Sequence, residues 1–184
     1  ITSPEMFANI SGQIVITGNA DSEQFEYYRV QIGEGLNPSS WFQISDDITT
    51  TVSDGELANW DTTALKGLYA LQLLVVDQDN QVKTFTTQVT IDNHPPKLSI
   101  RYPQDGQVFT YPKDSLITLE ASASDDLELV TVTFYINNIP LSSLKSPPYV
   151  VPWEARIGEH TLQVQAIDLA GNYSEEIIKF EVVR

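Results

Sequence analysis

The chain has 184 residues, no cysteine and a formal net charge of −15. Without thiols, cysteine catalysis, thiolate metal sites and redox work are excluded. The acidic balance repels phosphate backbones and anionic lipid, so no nucleic-acid or membrane-surface partner is expected. In chain order, Ile14–Ala20, Phe25–Ile32, Trp41–Ser45, Leu68–Asp77 and Val82–Ile91 read as strands, followed by Lys97–Tyr102, Leu116–Ala123, Leu129–Ile136, Tyr149–Trp153, Thr161–Ile167 and Ile177–Val183. Turn residues separate them at Gly33–Pro38, Gln104-Asp105-Gly106, Asn137-Asn138 and Ser146-Pro147-Pro148. Nothing sustains a 3.6-residue period, and no apolar run approaches the roughly 20 residues of a membrane-spanning helix. Residue 1 falls inside what reads as a first strand, with no signal peptide before it, so the sequence is expected to be a piece of a longer protein.

The chain says the same thing twice. Gly67-Leu68-Tyr69-Ala70-Leu71-Gln72 through Asp77 and Gly158-Glu159-His160-Thr161-Leu162-Gln163 through Asp168 share a Gly, a Leu-Gln pair and a closing Asp in one register. Trp60 and Trp153 precede the two glycines, and Ile1-Thr2-Ser3-Pro4 echoes Ile100-Arg101-Tyr102-Pro103. A repeat of about 95 residues is too long for a solenoid unit and fits a small domain. Asp92-Asn93-His94-Pro95-Pro96 marks the boundary, because two prolines cannot donate ladder hydrogen bonds. The expected division is 1–93 and 94–184. The first half holds 13 acids and 3 bases, the second 12 acids and 7 bases.

Alternation assigns the fold class. Leu162, Val164 and Ala166 face one way, with Thr161, Gln163 and Gln165 facing the other; Val130, Val132 and Phe134 alternate with Thr131, Thr133 and Tyr135. One apolar and one wet face per strand predicts antiparallel sandwiches. Leu65-Lys66-Gly67-Leu68-Tyr69-Ala70-Leu71 is similar to the Asp-x-Gly-x-Tyr-x-Cys stretch of immunoglobulin folds, with Leu71 and Leu162 where that fold's second cysteine falls. The resemblance implies a tyrosine corner at Tyr69, its hydroxyl bonded back to the chain, with His160 in that place in the second half. Asp125-Asp126-Leu127, Tyr149, Trp153 and Ala166 through Asn172 resemble bacterial Ig-like domains, which occur in tandem on secreted and surface proteins. The whole is therefore expected to be all-β, two immunoglobulin-like (fibronectin III-like) sandwiches in tandem.

The first half is more particular. Met6-Phe7-Ala8-Asn9, Tyr27 through Gln31, Gly33 through Pro38, Trp41 and Trp60-Asp61-Thr62-Thr63 resemble a module that follows the transpeptidase domain of some class A penicillin-binding proteins. That resemblance implies the C-terminal end of a peptidoglycan-polymerising and crosslinking enzyme. Neither that enzyme's glycosyltransferase nor its Ser-x-x-Lys signature is present, so no catalytic residue is carried over.

Three kinds of site follow. Catalysis finds little support: there are two histidines, His94 and His160, and no nucleophile elbow, zinc motif or phosphate loop. Glu175-Glu176 is the nearest thing to a glycosidase pair, which needs two carboxylates across a pocket. The fragment is expected not to be an enzyme. For calcium, Ig topology predicts that Asp125, Asp126, Asp168 and Asn172 come towards Asp92 and Asn93, supplying the hard oxygen ligands Ca²⁺ takes. The competing expectation is that Asp168 caps its own turn while Gly171 supplies a positive φ. Asp77-Gln78-Asp79 with Asp21 is a weaker copy. For glycans, Trp41 and Tyr27 are the ligand-binding candidates, whereas Trp60 and Trp153 are expected in the core. Asn9-Ile10-Ser11 and Asn172-Tyr173-Ser174 match the glycosylation acceptor pattern, a chance match in a bacterial protein.

The expected function is a non-catalytic, extracytoplasmic spacer or interaction region of a bacterial cell-wall enzyme or surface protein. The alternatives are a peptidoglycan- or carbohydrate-binding module, with Ca²⁺ as its one cofactor, and a protein adhesion module. A wall polymer or a surface protein is the expected partner, and the chain is expected to be monomeric.

Overall fold

The computed structural model describes residues 1–184 and contains no helix. It divides into two compact units, Ile1–Asn93 and His94–Arg184. The first holds β1 (Ala8–Ile10), β2 (Gln13–Ala20), β3 (Phe25–Glu34), β4 (Phe42–Gln43), β5 (Val52–Asp61), β6 (Gly67–Asp77) and β7 (Val82–Ile91). The second holds β8 (Lys97–Tyr102), β9 (Gln107–Thr110), β10 (Leu116–Ser124), β11 (Leu129–Ile136), β12 (Ile139–Leu144), β13 (Tyr149–Glu154), β14 (Gly158–Asp168) and β15 (Tyr173–Val183).

Each unit is a sandwich. In the first, a five-stranded sheet ordered β1-β7-β6-β3-β4 faces a β2-β5 pair. In the second, β12-β11-β14-β15-β9 faces β13-β10-β8. The sheets are not wholly antiparallel: β1 runs parallel to β7, and β9 parallel to β15. The same device causes both. In the first unit Ser3 bridges to Thr17 on β2, and after cis Ser3-Pro4 the chain crosses to the other sheet as β1. In the second, β8 pairs with β10, and after cis Tyr102-Pro103 the chain crosses as β9.

Period-2 burial builds most of the cores. Leu71, Leu73 and Val75 of β6 pack with Val30 of β3, Ile16 of β2 and Trp60 of β5. Leu162, Val164 and Ala166 of β14 pack with Val132 and Phe134 of β11 and Leu119 of β10. Val130 departs from the expected inward set and is exposed. The register shifts between Leu129 and Thr131, so Val130 is the extra residue of a bulge and turns outward. β6 departs in the other direction. Ala70 and Val76, on its outer face, are also buried.

The loop after β3 accounts for the cover at Ala70. It folds back over the sheet, with Gly35 N–H donating to Leu68 O at 2.7 Å and Gln88 Nε2 to Leu36 O at 2.7 Å. Gly33 permits this approach, because a Cβ there would lie 2.3 Å from Pro38 Cβ and 2.8 Å from Ser40 O. Gly33→Ala should therefore destabilise the first unit by roughly 1–3 kcal/mol, the usual cost of overpacking. Denaturant unfolding of Gly33→Ala, Pro38→Gly and the double variant checks this, since only glycine at 38 removes the Cβ that the new methyl would meet. Relief of the Gly33 penalty in the double variant is the expected sign of the contact.

Four strands are not among those expected from sequence: β1, β5, β9 and β12. β5 reads as polar because it is irregular: Leu57, Ala58 and Trp60 are buried out of alternation. Its pairing with β2 shifts register twice, and Asp54 takes a positive φ of 51°. β4 spans only Phe42–Gln43 of the longer strand expected at Trp41–Ser45. β12 follows a two-residue hairpin in which Asn137 and Asn138 have φ of 51° and 66°, the type I′ geometry.

Candidate functional site

The acidic end of the second unit is built by two neighbouring loops. β10 ends at Ser124 and β11 starts at Leu129, while β14 ends at Asp168 and β15 starts at Tyr173. Leu129 pairs with Asp168, which sets the loop 125–128 beside the loop 169–172. Leu169 N–H donates to Glu128 O at 3.1 Å across them. As a result, carboxylate oxygens of Asp125 and Asp168 lie within 4.8 Å of each other.

The individual bonds show what each group does there. Asp168 is 1% exposed. Its Oδ1 accepts from Asn172 N–H at 2.8 Å and its Oδ2 from Asn172 Nδ2 at 2.8 Å. Its own N–H donates to Asn172 O at 3.1 Å, and Gly171 turns the chain with a φ of 86°. This is a closed, capped turn. Asp125 Oδ1 accepts from Leu127 N–H at 3.0 Å, a local turn bond of the kind aspartate often makes. Asp126 Oδ2 lies 4.0 Å from His94 Nδ1, and both side chains are largely in solvent. His94, Pro95, Lys97, Ser124, Asp125 and Asp126 line a cleft of about 330 Å³.

Asp92 and Asn93 belong to the first unit. Asp92 is buried and its N–H donates to Ile10 O at 3.0 Å. Asn93 works as a clamp. Its Oδ1 accepts from Gly12 N–H at 2.8 Å, and its Nδ2 donates to Thr62 O at 2.8 Å and Leu65 O at 3.1 Å. Thr62, fully buried, donates from both N–H and Oγ1 to Gly12 O. Sequence reasoning missed this knot. The weaker acidic copy has similar partners: Asp77 accepts from the Ser22 hydroxyl and lies 3.8 Å from Lys83 Nζ.

The glycan candidates do not form a platform. Trp41 is partly buried, and the neighbouring Phe42, 67% exposed, is the side chain that projects. Trp41 lies just before β4, and the exposed aromatic expected there is its neighbour. Tyr27 carries the Arg29 guanidinium 5.1 Å from its ring centroid, and Arg29 also pairs with Asp47 at 2.7 Å. Phe42 pairs with Ile32, so about five residues of β3, on the order of 16 Å, separate Trp41 from Tyr27. Glu175 and Glu176 likewise diverge: one accepts from Gln163 Nε2 at 2.7 Å, the other from Ile100 N–H at 2.5 Å on the opposite face. They cannot flank one bond.

His160 is structural. Its Nε2 lies 2.6 Å from Arg156 O and must donate, while its Nδ1 lies 3.2 Å from Asn137 Nδ2 and must accept. The ring meets Trp153 edge-on at 4.7 Å. At the matching place of the first unit, Tyr69 meets Trp60 at 5.8 Å. The bond back to the upstream chain, expected of Tyr69, is thus made by His160.

Residues 96–164 match the family of the Bacterial Ig domain. That match runs from the start of β8 into β14. No curated protein matches. Among solved structures, the fibronectin(III)-like modules of CbhA from Clostridium thermocellum are 22% identical, with 98% of this chain and 92% of that chain covered at a TM-score of 0.64. Murine CEACAM1b is 13% identical over 98% of this chain and 96% of that one, with a TM-score of 0.48. A 1.5-MDa bacterial ice-binding adhesin is 14% identical over 96% and 60%, with a TM-score of 0.42. The CbhA likeness and the Bacterial Ig match establish the fold as Ig-like, fibronectin III-like β-sandwiches.

Proposed function

We propose that the chain is a non-catalytic, extracytoplasmic module pair that serves as a spacer or interaction region of a bacterial cell-wall enzyme, of the penicillin-binding type, or of a surface protein. The observation that carries this reading is how four buried or half-buried polar groups are used. Asp168, His160, Asn93 and Thr62 each bond to backbone within their own turn or clamp, leaving them to hold the sandwich. A reaction needs such groups poised towards a substrate. The Bacterial Ig match over 96–164 supports the bacterial, surface-associated side of the proposal. The function is then mechanical: two sandwiches add length between whatever they join.

One observation favours a second reading, in which Ca²⁺ sits on the acidic end of the second unit: the approach of Asp125 to Asp168 within 4.8 Å. A Ca²⁺-loaded surface could bridge to anionic wall polymer despite the net charge of −15. Co-sedimentation of the protein with isolated cell-wall sacculi, in Ca²⁺ and in EGTA, separates the two. A spacer stays in the supernatant under both conditions. Saturable pelleting would replace the spacer with a wall-binding module, and its loss in EGTA would favour the ion.

A further inference from the structure

The hairpin between β11 and β12 leaves a cavity of about 190 Å³ against the end of β13. Ile136, Ile139, Leu141 and Trp153 form its apolar wall, and Asn137 and Arg156 bring polar groups to it. β12 and β13 are edge strands of opposite sheets, so no further strand closes the core on this side. Ile139 is 69% exposed and Leu141 39%, which makes the mouth apolar as well.

Charge sets this cavity apart. Clefts elsewhere on the chain are lined by Glu159 and Glu181, by Asp125 and Asp126, by Glu120, or by Asp21. No acid lines this one, in a chain with 25 acids and 10 bases, and Arg156 is the permanent cation there. Its side chain is exposed, and no carboxylate pairs with it. The backbone that carries it is nevertheless fixed, because Arg156 O accepts from His160 Nε2 at 2.6 Å. Asn137 is held in the same way. Its Oδ1 accepts from Thr161 N–H at 2.9 Å, which turns the Nδ2 group towards His160 Nδ1 at 3.2 Å. An amide nitrogen carries two hydrogens, so one is left to donate into the cavity. Donors that no carboxylate answers suit an anion, and the apolar wall beside them suits a hydrocarbon tail.

We infer that this cavity binds an apolar monocarboxylate, whose charged end is taken by Arg156 and the Asn137 amide and whose tail lies against Ile139, Leu141 and Trp153. Sites for drug-sized ligands hold roughly 300–1,000 Å³, so this smaller one takes a single residue or its equivalent. Either a free short-chain acid or the C-terminal residue of a peptide has that chemistry. The site is compatible with a spacer and with a wall-binding module, and rests on neither reading.

The test titrates the full chain with N-acetyl-leucine and follows the Asn137 side-chain amide and the Trp153 indole by NMR. Both signals should shift and saturate, with a Kd on the order of 1 mM for a ligand of about a dozen heavy atoms. N-acetyl-leucine amide has no charge and should bind about tenfold more weakly, as should the acid to Arg156→Gln. N-acetyl-glycine, which lacks the tail, should also bind more weakly. Arg156 makes no bond through its side chain, so the Gln variant should keep the parent's melting temperature. An acetylated tripeptide acid ending in leucine separates the two sources: tighter binding than N-acetyl-leucine assigns the cavity to a peptide end, and equal or weaker binding to a free acid. Shifts that do not saturate, equal binding of acid and amide, or a Kd within about twofold of the parent in Arg156→Gln would overturn the assignment.

Discussion

Asn93→Ala should destabilise the first unit by about 3 kcal/mol, since a buried hydrogen bond is worth ~1 kcal/mol and three are lost together. The three partners are backbone groups: Gly12 N–H, Thr62 O and Leu65 O. They come from the turn after β1 and the stretch after β5, so Asn93 ties the last residues of the unit to two remote turns. For a domain of this size the loss corresponds to a fall in Tm on the order of 10–20 °C. Asn93→Asp keeps the acceptor for Gly12 but sets a carboxylate against two carbonyl oxygens, and should be no better than alanine. Amide exchange at Gly12 reads the effect locally. If Gly12 remains protected in Asn93→Ala, the clamp is not what holds this end.

His160→Ala is expected to cost the second unit a similar amount, about 3–4 kcal/mol, with two causes. Removing the ring opens a cavity beside Trp153 and Phe180, which pack on it at 4.7 and 5.5 Å. It also leaves Arg156 O and Asn137 Nδ2 without their partner. His160→Phe separates the causes: it refills the space but restores neither bond, so it should recover roughly half of the loss. An alanine variant within about 1 kcal/mol of the parent would show that the pocket collapses and the bonds are dispensable.

Tyr28 gives the first unit an alkaline limit. Burial, aided by the Glu56 charge, raises its pKa above the usual value for tyrosine. A group with a raised folded value stabilises below its unfolded pKa of about 10 and loses that contribution as pH rises through the folded one. Tyr28→Phe should flatten this decline, at the expense of the bond from the hydroxyl to Leu57 O at 3.1 Å.

What the sequence made legible follows from how regular each element is. β14 alternates without interruption, so its faces could be read directly, and the repeated Gly, Leu-Gln and Asp revealed the tandem arrangement. β5 could not be read, because two register shifts break its period and leave Leu57 and Ala58 buried side by side. Val130 was misdirected because it is itself the extra residue of a bulge, while Val132 and Phe134 beyond it face the core as their parity implied. At the acidic end, Ig topology brought Asp125 near Asp168, and Asp168 with Gly171 announced a capped turn. The clamp at Asn93 was hidden because its partners are backbone atoms 28 to 81 residues away, and backbone carries no residue signal. Trp41 was placed outward because strand parity cannot be set for a strand only two residues long.

If Asp168, His160, Asn93 and Thr62 hold the fold rather than a ligand, the acidic end of the second unit is a capped turn that takes up no Ca²⁺. Melting the full chain in Ca²⁺ and in EGTA tests it most directly. Saturation at about a hundred times Kd would add about 2.7 kcal/mol, a rise of more than roughly 10 °C for a unit of this size. The two Tm values should agree to within about 1 °C, because Asp168 already has both oxygens bonded to Asn172. A Ca²⁺-dependent rise that disappears in Asp125→Asn would contradict it.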